Sequence, residues 1–312
     1  MPRKIIIDTD PGVDDAVAIL LALAAPEALE VLGIVAVAGN LPLTLTEKNA
    51  RRICELAGRS DVPIFAGCPR PLLQDPITAA TVHGETGLGE LVLPVPALPL
   101  QPRHGVDFLI EAILGAEADS ITLCTLGPLT DIAVALAKAP EIAGRVHELV
   151  VMGGARAELG NVTPAAEFNI YADPHAAAAV VASGIPLVLM PLDATHQVLS
   201  TAVRLERLQA LGNRCGRAIA TVLTPAAGLP RRRYGLGPPL HDPCVIAYLL
   251  WPDLFAGRSV NVAVETDSPL TRGMTVVDWW GVTARPPNAR FIAEVDAERL
   301  YARLCERIAR LP

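Results

Sequence analysis

At 312 residues, 51% of them hydrophobic but only 4% aromatic, the chain has the length of one large α/β domain with an aliphatic core. A formal net charge of −7 argues against a nucleic-acid or anionic-membrane surface, and no apolar run reaches the length needed to span a bilayer. Six scattered cysteines, with no Cys-x-x-Cys pair, read as reduced thiols of a cytoplasmic protein, not as a disulfide frame or zinc site.

The start, Met-Pro-Arg-Lys-Ile, enters a strand at once and leaves no room for a signal peptide. Ile5, Ile6 and Ile7 form a β-branched run suited to a strand buried on both faces. Pro11-Gly12 breaks it, and Val17, Ile19, Leu20, Leu21 and Leu23 then predict a largely buried helix. Leu32 to Val37 reads as a second strand ending in Gly39-Asn40. A helix follows, with Thr44 or Thr46 as its cap and Ala50, Ile53, Leu56 and Ala57 at helical spacing. Val62 to Ala66 is a third strand. Residues 67–104, rich in Pro and Gly, read as a long surface excursion, the kind of loop that often carries function.

Beyond it, Val106–Leu114 predicts a helix, Ile121–Leu126 a strand, and Gly127 to about Lys138 another helix. Leu149–Met152 is a strand ending in Gly153-Gly154, followed by a polar loop that carries Asn161, Glu167 and Asn169. A helix over Pro174–Ala182 and a strand over Leu187–Met190 continue the alternation. Helices are expected over Ala202–Leu211 and Arg214–Leu223, then a loop, Gly228–Leu240, holding Arg231-Arg232-Arg233-Tyr234. Asp242 and Pro243 suit the cap and first position of the next helix. Short strands near Val260–Val264, Met274–Asp278 and Phe291–Val295 precede a terminal helix, Asp296–Arg310. Repeated strand–helix alternation predicts an α/β fold: a doubly wound, mostly parallel central sheet flanked by helices, with a helical C-terminal part and a few extra short strands. Such sheets bind ligands at the carboxyl ends of their strands, where Asp8, Asp10, Asn40, Leu126, Met152 and Asp193 fall.

Four carboxylates, Asp8, Asp10, Asp14 and Asp15, crowd the end of the first strand and the first turn of its helix. Two like charges about 5 Å apart repel by roughly 3 kcal/mol at an effective dielectric near 20. One such residue is ordinarily a helix cap or a turn former. Four together need protons, donors or a cation, and an all-oxygen site without Lys or Arg favours Ca²⁺ or Mg²⁺.

Asp8-Thr9-Asp10-Pro11-Gly12-Val13-Asp14-Asp15 resembles the opening signature of the inosine–uridine-preferring nucleoside hydrolase family. Gly39-Asn40, His83-Gly84, Leu126-Gly127-Pro128-Leu129-Thr130, Met152-Gly153-Gly154, Ala166-Glu167-Phe168-Asn169-Ile170 and His241-Asp242-Pro243 extend the likeness in order over nearly the full length. The resemblance implies a single domain over residues 1–312, a cytoplasmic homo-oligomer (dimer or tetramer), and calcium-dependent hydrolysis of the N-glycosidic bond of ribonucleosides. By similarity, Asp10, Asp15, Asp242 and the Leu126 carbonyl would hold Ca²⁺, whose other positions take a water and the ribose 2′- and 3′-hydroxyls. Asp14, Asn40, Glu167 and Asn169 would bind the ribose hydroxyls, Asn161 would lie near the 5′-hydroxyl, and Met152 would pack under the sugar. His83 and His241 would lie near the base, as would Tyr234 in its loop. Asp8 would orient its neighbours. The expected mechanism makes Asp10 the general base on the water and His241 the donor to the departing base.

Blander readings stand beside these. A loop histidine such as His83 is usually solvated, His196 reads as structural, Met152 as core, and Arg231–Arg233 as a solvated patch or a contact for an acidic group. The chain departs from the family pattern with Asp131 where Asn is commoner and His175 where Glu is frequent. Two alternatives of other classes are a divalent-metal phosphatase of the haloacid-dehalogenase type and a non-catalytic nucleoside or ribose binder. The phosphatase motif wants Thr or Val where Gly12 stands.

Overall fold

The structure is a computed structural model that describes residues 1–224 and 237–312. Its frame is a ten-stranded sheet. The strands are β1 (Arg3–Thr9), β2 (Leu29–Ala36), β3 (Ile64–Ala66), β4 (Leu100–Gln101), β5 (Ile121–Thr125), β6 (Val146–Met152), β7 (Leu187–Met190), β8 (Phe255–Val264), β9 (Thr275–Asp278) and β10 (Ala289–Val295). They lie in the order β4-β3-β2-β1-β5-β6-β7-β10-β8-β9. Pairing is parallel from β4 across to β10, and antiparallel from β10 to β8 and from β8 to β9.

The helices are α1 (Val13–Leu23), α2 (Leu43–Leu56), α3 (Ala80–His83), α4 (Gly105–Gly115), α5 (Thr130–Lys138), α6 (Phe168–Ala172), α7 (Pro174–Val181), α8 (Leu192–Thr195), α9 (Ala202–Gln209), α10 (Arg214–Val222), α11 (Pro243–Leu250) and α12 (Ala297–Ile308). The apolar run of β1 explains the layering. Ile5 and Ile7 point into a core shared with α1, α2, α10, α11 and α12, while Ile6 points into the opposite core with α4, α5 and α7. A strand covered on both faces needs apolar residues at successive positions, because side chains alternate between the faces. Helix α1 packs against α11, and its residues from Asp14 to Leu23 are all buried.

From β1 the chain winds outward through β2, β3 and β4, then returns to β5 on the other side of β1. The strand order therefore reverses between β1 and β5. A crevice at the carboxyl ends is expected at that switch point. Asp8 lies at the end of β1, Asp10 just after it, and Leu126 just after β5, so the switch point carries the acidic motif.

The doubly wound sheet agrees with the sequence expectation, with three local differences. The excursion over residues 67–104 contains α3 and the two-residue strand β4, which extends the sheet beside β3. The polar loop before α7 contains α6, and α8 follows β7; both are too short to show a helical period. The expected caps also differ. Helix α2 begins after Pro42, and the Thr46 hydroxyl donates to Leu43 O at 3.1 Å. Asp242 stands at the N-cap of α11 without bonding to a backbone N–H there, because its carboxyl lies with those of Asp14 and Asp15.

Candidate active site

Asp10 is held by the loop after β2. Asn40 donates its backbone N–H to Asp10 Oδ2 at 2.6 Å and its side-chain amide to Asp10 O at 3.2 Å. Two glycines let the carboxylate sit there. A Cβ on Gly39 would lie 2.0 Å from Asp10 Oδ2, and one on Gly127 would lie 2.6 Å from Asp10 Oδ1. Asp10 Oδ1 is buried and has no hydrogen-bond partner among the described residues. A buried carboxylate oxygen left without a donor carries its full desolvation cost, so it marks a place for a donor or a cation.

Asp15, in the first turn of α1, accepts from Thr9 Oγ1 at 2.5 Å, from Gly12 N at 2.9 Å and from the Asn40 side chain at 3.2 Å. The capping reading of Asp15 is thus correct for one of its oxygens. Carboxylate oxygens of Asp14, Asp15 and Asp242 approach within 4.8 Å of one another, all three residues buried. Burial raises the pKa of Asp10, Asp15 and Asp242, and the charges of the neighbouring aspartates raise them further; the Thr9 and Gly12 donors partly offset this at Asp15. The donor set is hard oxygen throughout, with no Lys or Arg bonded to these carboxylates among the described residues. Such a set fits Ca²⁺ or Mg²⁺ and does not fit a soft metal. Asp14, which the resemblance assigns to the ribose hydroxyls, thus stands in one acidic cluster with Asp15 and Asp242.

Behind the cluster, Asp8 is buried, and burial followed by the charge of Asp131 raises its pKa. Asp131 accepts the Cys68 backbone N–H at 2.7 Å.

The wall opposite is built on β5, β6 and α6. Asn169 Nδ2 donates to Leu126 O at 2.7 Å and to Met152 O at 3.2 Å, and stands 3.4 Å from Met152 Sδ. The Leu126 carbonyl keeps a second lone pair for another partner. Glu167 caps α6, accepting from Asn169 N at 2.9 Å, Gly154 N at 3.1 Å and Ile170 N at 3.2 Å. Burial nonetheless pushes its pKa up to about 7 against those three donors. Asn161 Oδ1 accepts from Phe168 N at 2.9 Å, which ties its loop to the same helix start.

Two imidazoles complete the described site. His83 is buried, contrary to the solvated-loop reading, because its Nδ1 accepts the Val13 N–H at 3.1 Å where α1 begins. His241 Nδ1 lies 2.8 Å from Thr195 Oγ1. Burial, with His196 and His83 nearby, lowers the His241 pKa to about 3, so the ring is neutral near pH 7. His196 packs its ring 5.7 Å from that of His241, tilted by 56°, and its Nδ1 is 2.9 Å from Glu158 Oε2. The expected site residue Tyr234, with Arg231, Arg232 and Arg233, lies outside the described residues.

Sequence reasoning missed Thr9, Thr195 and Asn49. The Asn49 amide holds the motif's turn by donating to Pro11 O at 3.2 Å and Thr86 O at 2.8 Å. Thr195 alone had a usable signal, its position just after β7 at the carboxyl edge of the sheet.

The family model for inosine-uridine preferring nucleoside hydrolase matches residues 5–302. An uncharacterised protein of Schizosaccharomyces pombe is 52% identical over 310 residues, 99% of this chain and 100% of that one. The pyrimidine-specific ribonucleoside hydrolase RihA of Photobacterium profundum is 44% identical over 311 residues, 99% of each chain. A solved structure of a purine-preferring ribonucleoside hydrolase from Gardnerella vaginalis aligns with a TM-score of 0.91 at 32% identity, over 98% of both chains.

Proposed function

The chain belongs to the inosine-uridine preferring nucleoside hydrolase family and is an enzyme of that family; on that premise we propose that it hydrolyses ribonucleosides to free base and ribose with Ca²⁺ as cofactor. The observation that carries the metal assignment is the meeting of Asp14, Asp15 and Asp242 within 4.8 Å. Asp10, whose Oδ1 has no hydrogen-bond partner among the described residues, stands outside that group but feels the charges of Asp15 and Asp14. A bound Ca²⁺ supplies the positive charge that keeps these carboxylates ionised, polarises a water and anchors a vicinal diol.

The protein's own groups do the rest. Asp10 Oδ1, free of hydrogen bonds from the described residues, takes the proton of the attacking water. Breaking the N-glycosidic bond builds positive charge on the sugar ring, which the carboxylates of Asp14 and Glu167 and the amide oxygen of Asn169 stabilise. Asn40 keeps Asp10 in place through its two bonds and is available to the sugar's edge. Met152, at the end of β6, supplies an apolar floor. His241, neutral near pH 7, acts as a hydrogen-bond donor to the departing base and not as an imidazolium acid. The match to a hydrolase family leaves neither the phosphatase nor the non-catalytic binder as a competing reading.

Pyrimidine ribonucleosides are the proposed preferred substrates. The support is the 44% identity to a pyrimidine-specific enzyme, against 32% to a purine-preferring one. A cytoplasmic homo-oligomer is proposed with it. The test is a panel of uridine, cytidine, inosine, adenosine and guanosine, assayed for free base and reducing sugar with and without a chelator. Uridine and cytidine should turn over fastest, and chelation should abolish turnover until Ca²⁺ is restored. Activity that survives thorough chelation would remove the metal from the mechanism.

A further inference from the structure

We propose that Thr195 is a positioning residue that fixes the tautomer of His241, so that Nε2 of the imidazole carries the hydrogen offered to the departing base. The inference rests on the reading of His241 as the donor to the base.

A neutral imidazole has one N–H and one bare nitrogen, and only the N–H edge can support a leaving base. Which edge that is depends on the partner of the other nitrogen. His241 Nδ1 faces Thr195 Oγ1 at 2.8 Å. Two arrangements fit that distance: the hydroxyl donates to Nδ1, or Nδ1–H donates to the hydroxyl. Thr195 has 0% exposure, and His241 Nδ1 is the one hydrogen-bond partner of its hydroxyl among the described residues. In the second arrangement the hydroxyl hydrogen would be buried with no acceptor, at its full desolvation cost. In the first every polar atom of the pair is satisfied. Thr195 therefore donates, Nδ1 accepts, and the proton of the ring sits on Nε2.

The hydroxyl is held firmly enough to make this choice. Helix α8 is tied to the loop after β6 by Leu192 N donating to Gly154 O at 2.9 Å. Asp193 accepts from Arg156 N at 2.7 Å and from Ala157 N at 2.9 Å. Gln197 then ties the end of α8 to β10, its amide donating to Asp193 O at 2.6 Å and Ala293 O at 2.7 Å. The ring of His196 lies tilted beside that of His241, with the centroids 5.7 Å apart. His83 reaches the same tautomer by another device: a backbone N–H, from Val13, can only donate, so His83 Nδ1 must accept. Both imidazoles of the site thus present Nε2–H. At His241 a single hydroxyl decides it, and the hydroxyl can be removed.

The experiment compares Thr195→Val and Thr195→Ser with the wild-type enzyme on uridine and on 4-nitrophenyl β-D-ribofuranoside. The nitrophenolate leaves without a donor, whereas the uracil anion needs one. Thr195→Val should lower kcat on uridine by about tenfold or more and leave kcat on the nitrophenyl riboside within about twofold. Thr195→Ser should restore most of the uridine rate. Equal losses on both substrates, or no loss on uridine, would overturn the proposal. A long-range ¹H–¹⁵N spectrum of the wild-type protein gives a reading that needs no variant to fold. It should place the His241 proton on Nε2, and a proton on Nδ1 would overturn the proposal. A wild-type enzyme that cleaves the nitrophenyl riboside but none of the nucleosides would sink the proposed function instead, and the spectrum would still judge the tautomer.

Discussion

Asn40 and Asp10 meet twice, once through the Asn40 N–H to Asp10 Oδ2 at 2.6 Å and once through the side-chain amide to Asp10 O at 3.2 Å. The pairing leaves one carboxylate oxygen anchored and the other, Oδ1, without a hydrogen-bond partner among the described residues. An anchored base with one open oxygen is suited to proton abstraction. Asp10→Asn keeps the shape and removes the basicity, so kcat on uridine should fall by about 10²–10⁴-fold with the circular dichroism spectrum unchanged. Near-normal turnover in the folded, calcium-loaded variant would refute Asp10 as the base.

Gly39 tests the same anchoring from outside the carboxylate. A Cβ there would lie 2.0 Å from Asp10 Oδ2 and 2.7 Å from the Pro128 ring, so Asp10 must move. Misplacement of a reacting group by about 1 Å costs on the order of 10²-fold in rate. Gly39→Ala is expected to lower kcat on that scale while the protein still folds, as read by steady-state kinetics and thermal melting.

Calcium should stabilise the protein, and more so as pH rises. Burial and mutual repulsion raise the pKa values of Asp10, Asp15 and Asp242 in the metal-free fold. For a carboxyl raised on folding, its contribution to stability is fully present below its unfolded pKa and is lost as pH rises through the folded one. A cation needs the deprotonated groups, so it compensates where the metal-free protein is weakest. At a hundredfold excess over Kd the gain is about 2.7 kcal/mol. The melting temperature with calcium minus that with chelator should be small near pH 5 and several degrees near pH 7.5. A difference independent of pH would contradict the clustered carboxylates.

Glu167 gives a second pH signature. Its pKa rises from 4.5 unfolded to about 7 folded, chiefly through burial. It therefore favours the fold at low pH, and that contribution declines from about pH 4.5 to about pH 7 and is flat above, by some 3 kcal/mol in all. Glu167→Gln cannot titrate. Denaturant unfolding of the variant at a series of pH values should lack that part of the slope, and an unchanged slope would place the titration elsewhere.

The sheet was legible because its strands carry unmistakable patterns: Ile5–Ile7 is apolar at every position, and β1 is covered on both faces. The acidic motif was legible because four carboxylates in eight residues have no ordinary structural excuse. Other features left no local trace. Helices α6 and α8 span five and four residues, less than the pattern needs to repeat. His83 reads as an exposed loop residue until α1 is folded beside it and Val13 donates to its ring. Thr195 and His241 are 46 positions apart, and nothing in either neighbourhood announces the other. Asp242 looks like a helix cap in sequence; its carboxyl is drawn instead to Asp14 and Asp15 by the packing of α11 on α1.

Asp14 and Asp15 come from the first turn of the first helix, whereas Asp242 arrives only after most of the chain has been laid down. An ion gripped by all three would clasp the beginning of the polypeptide to its last quarter. A ribosome-bound chain ending before α11 would have the motif but could not close the clasp. Competence to bind the ion would then report that α11 has been made and has docked on α1.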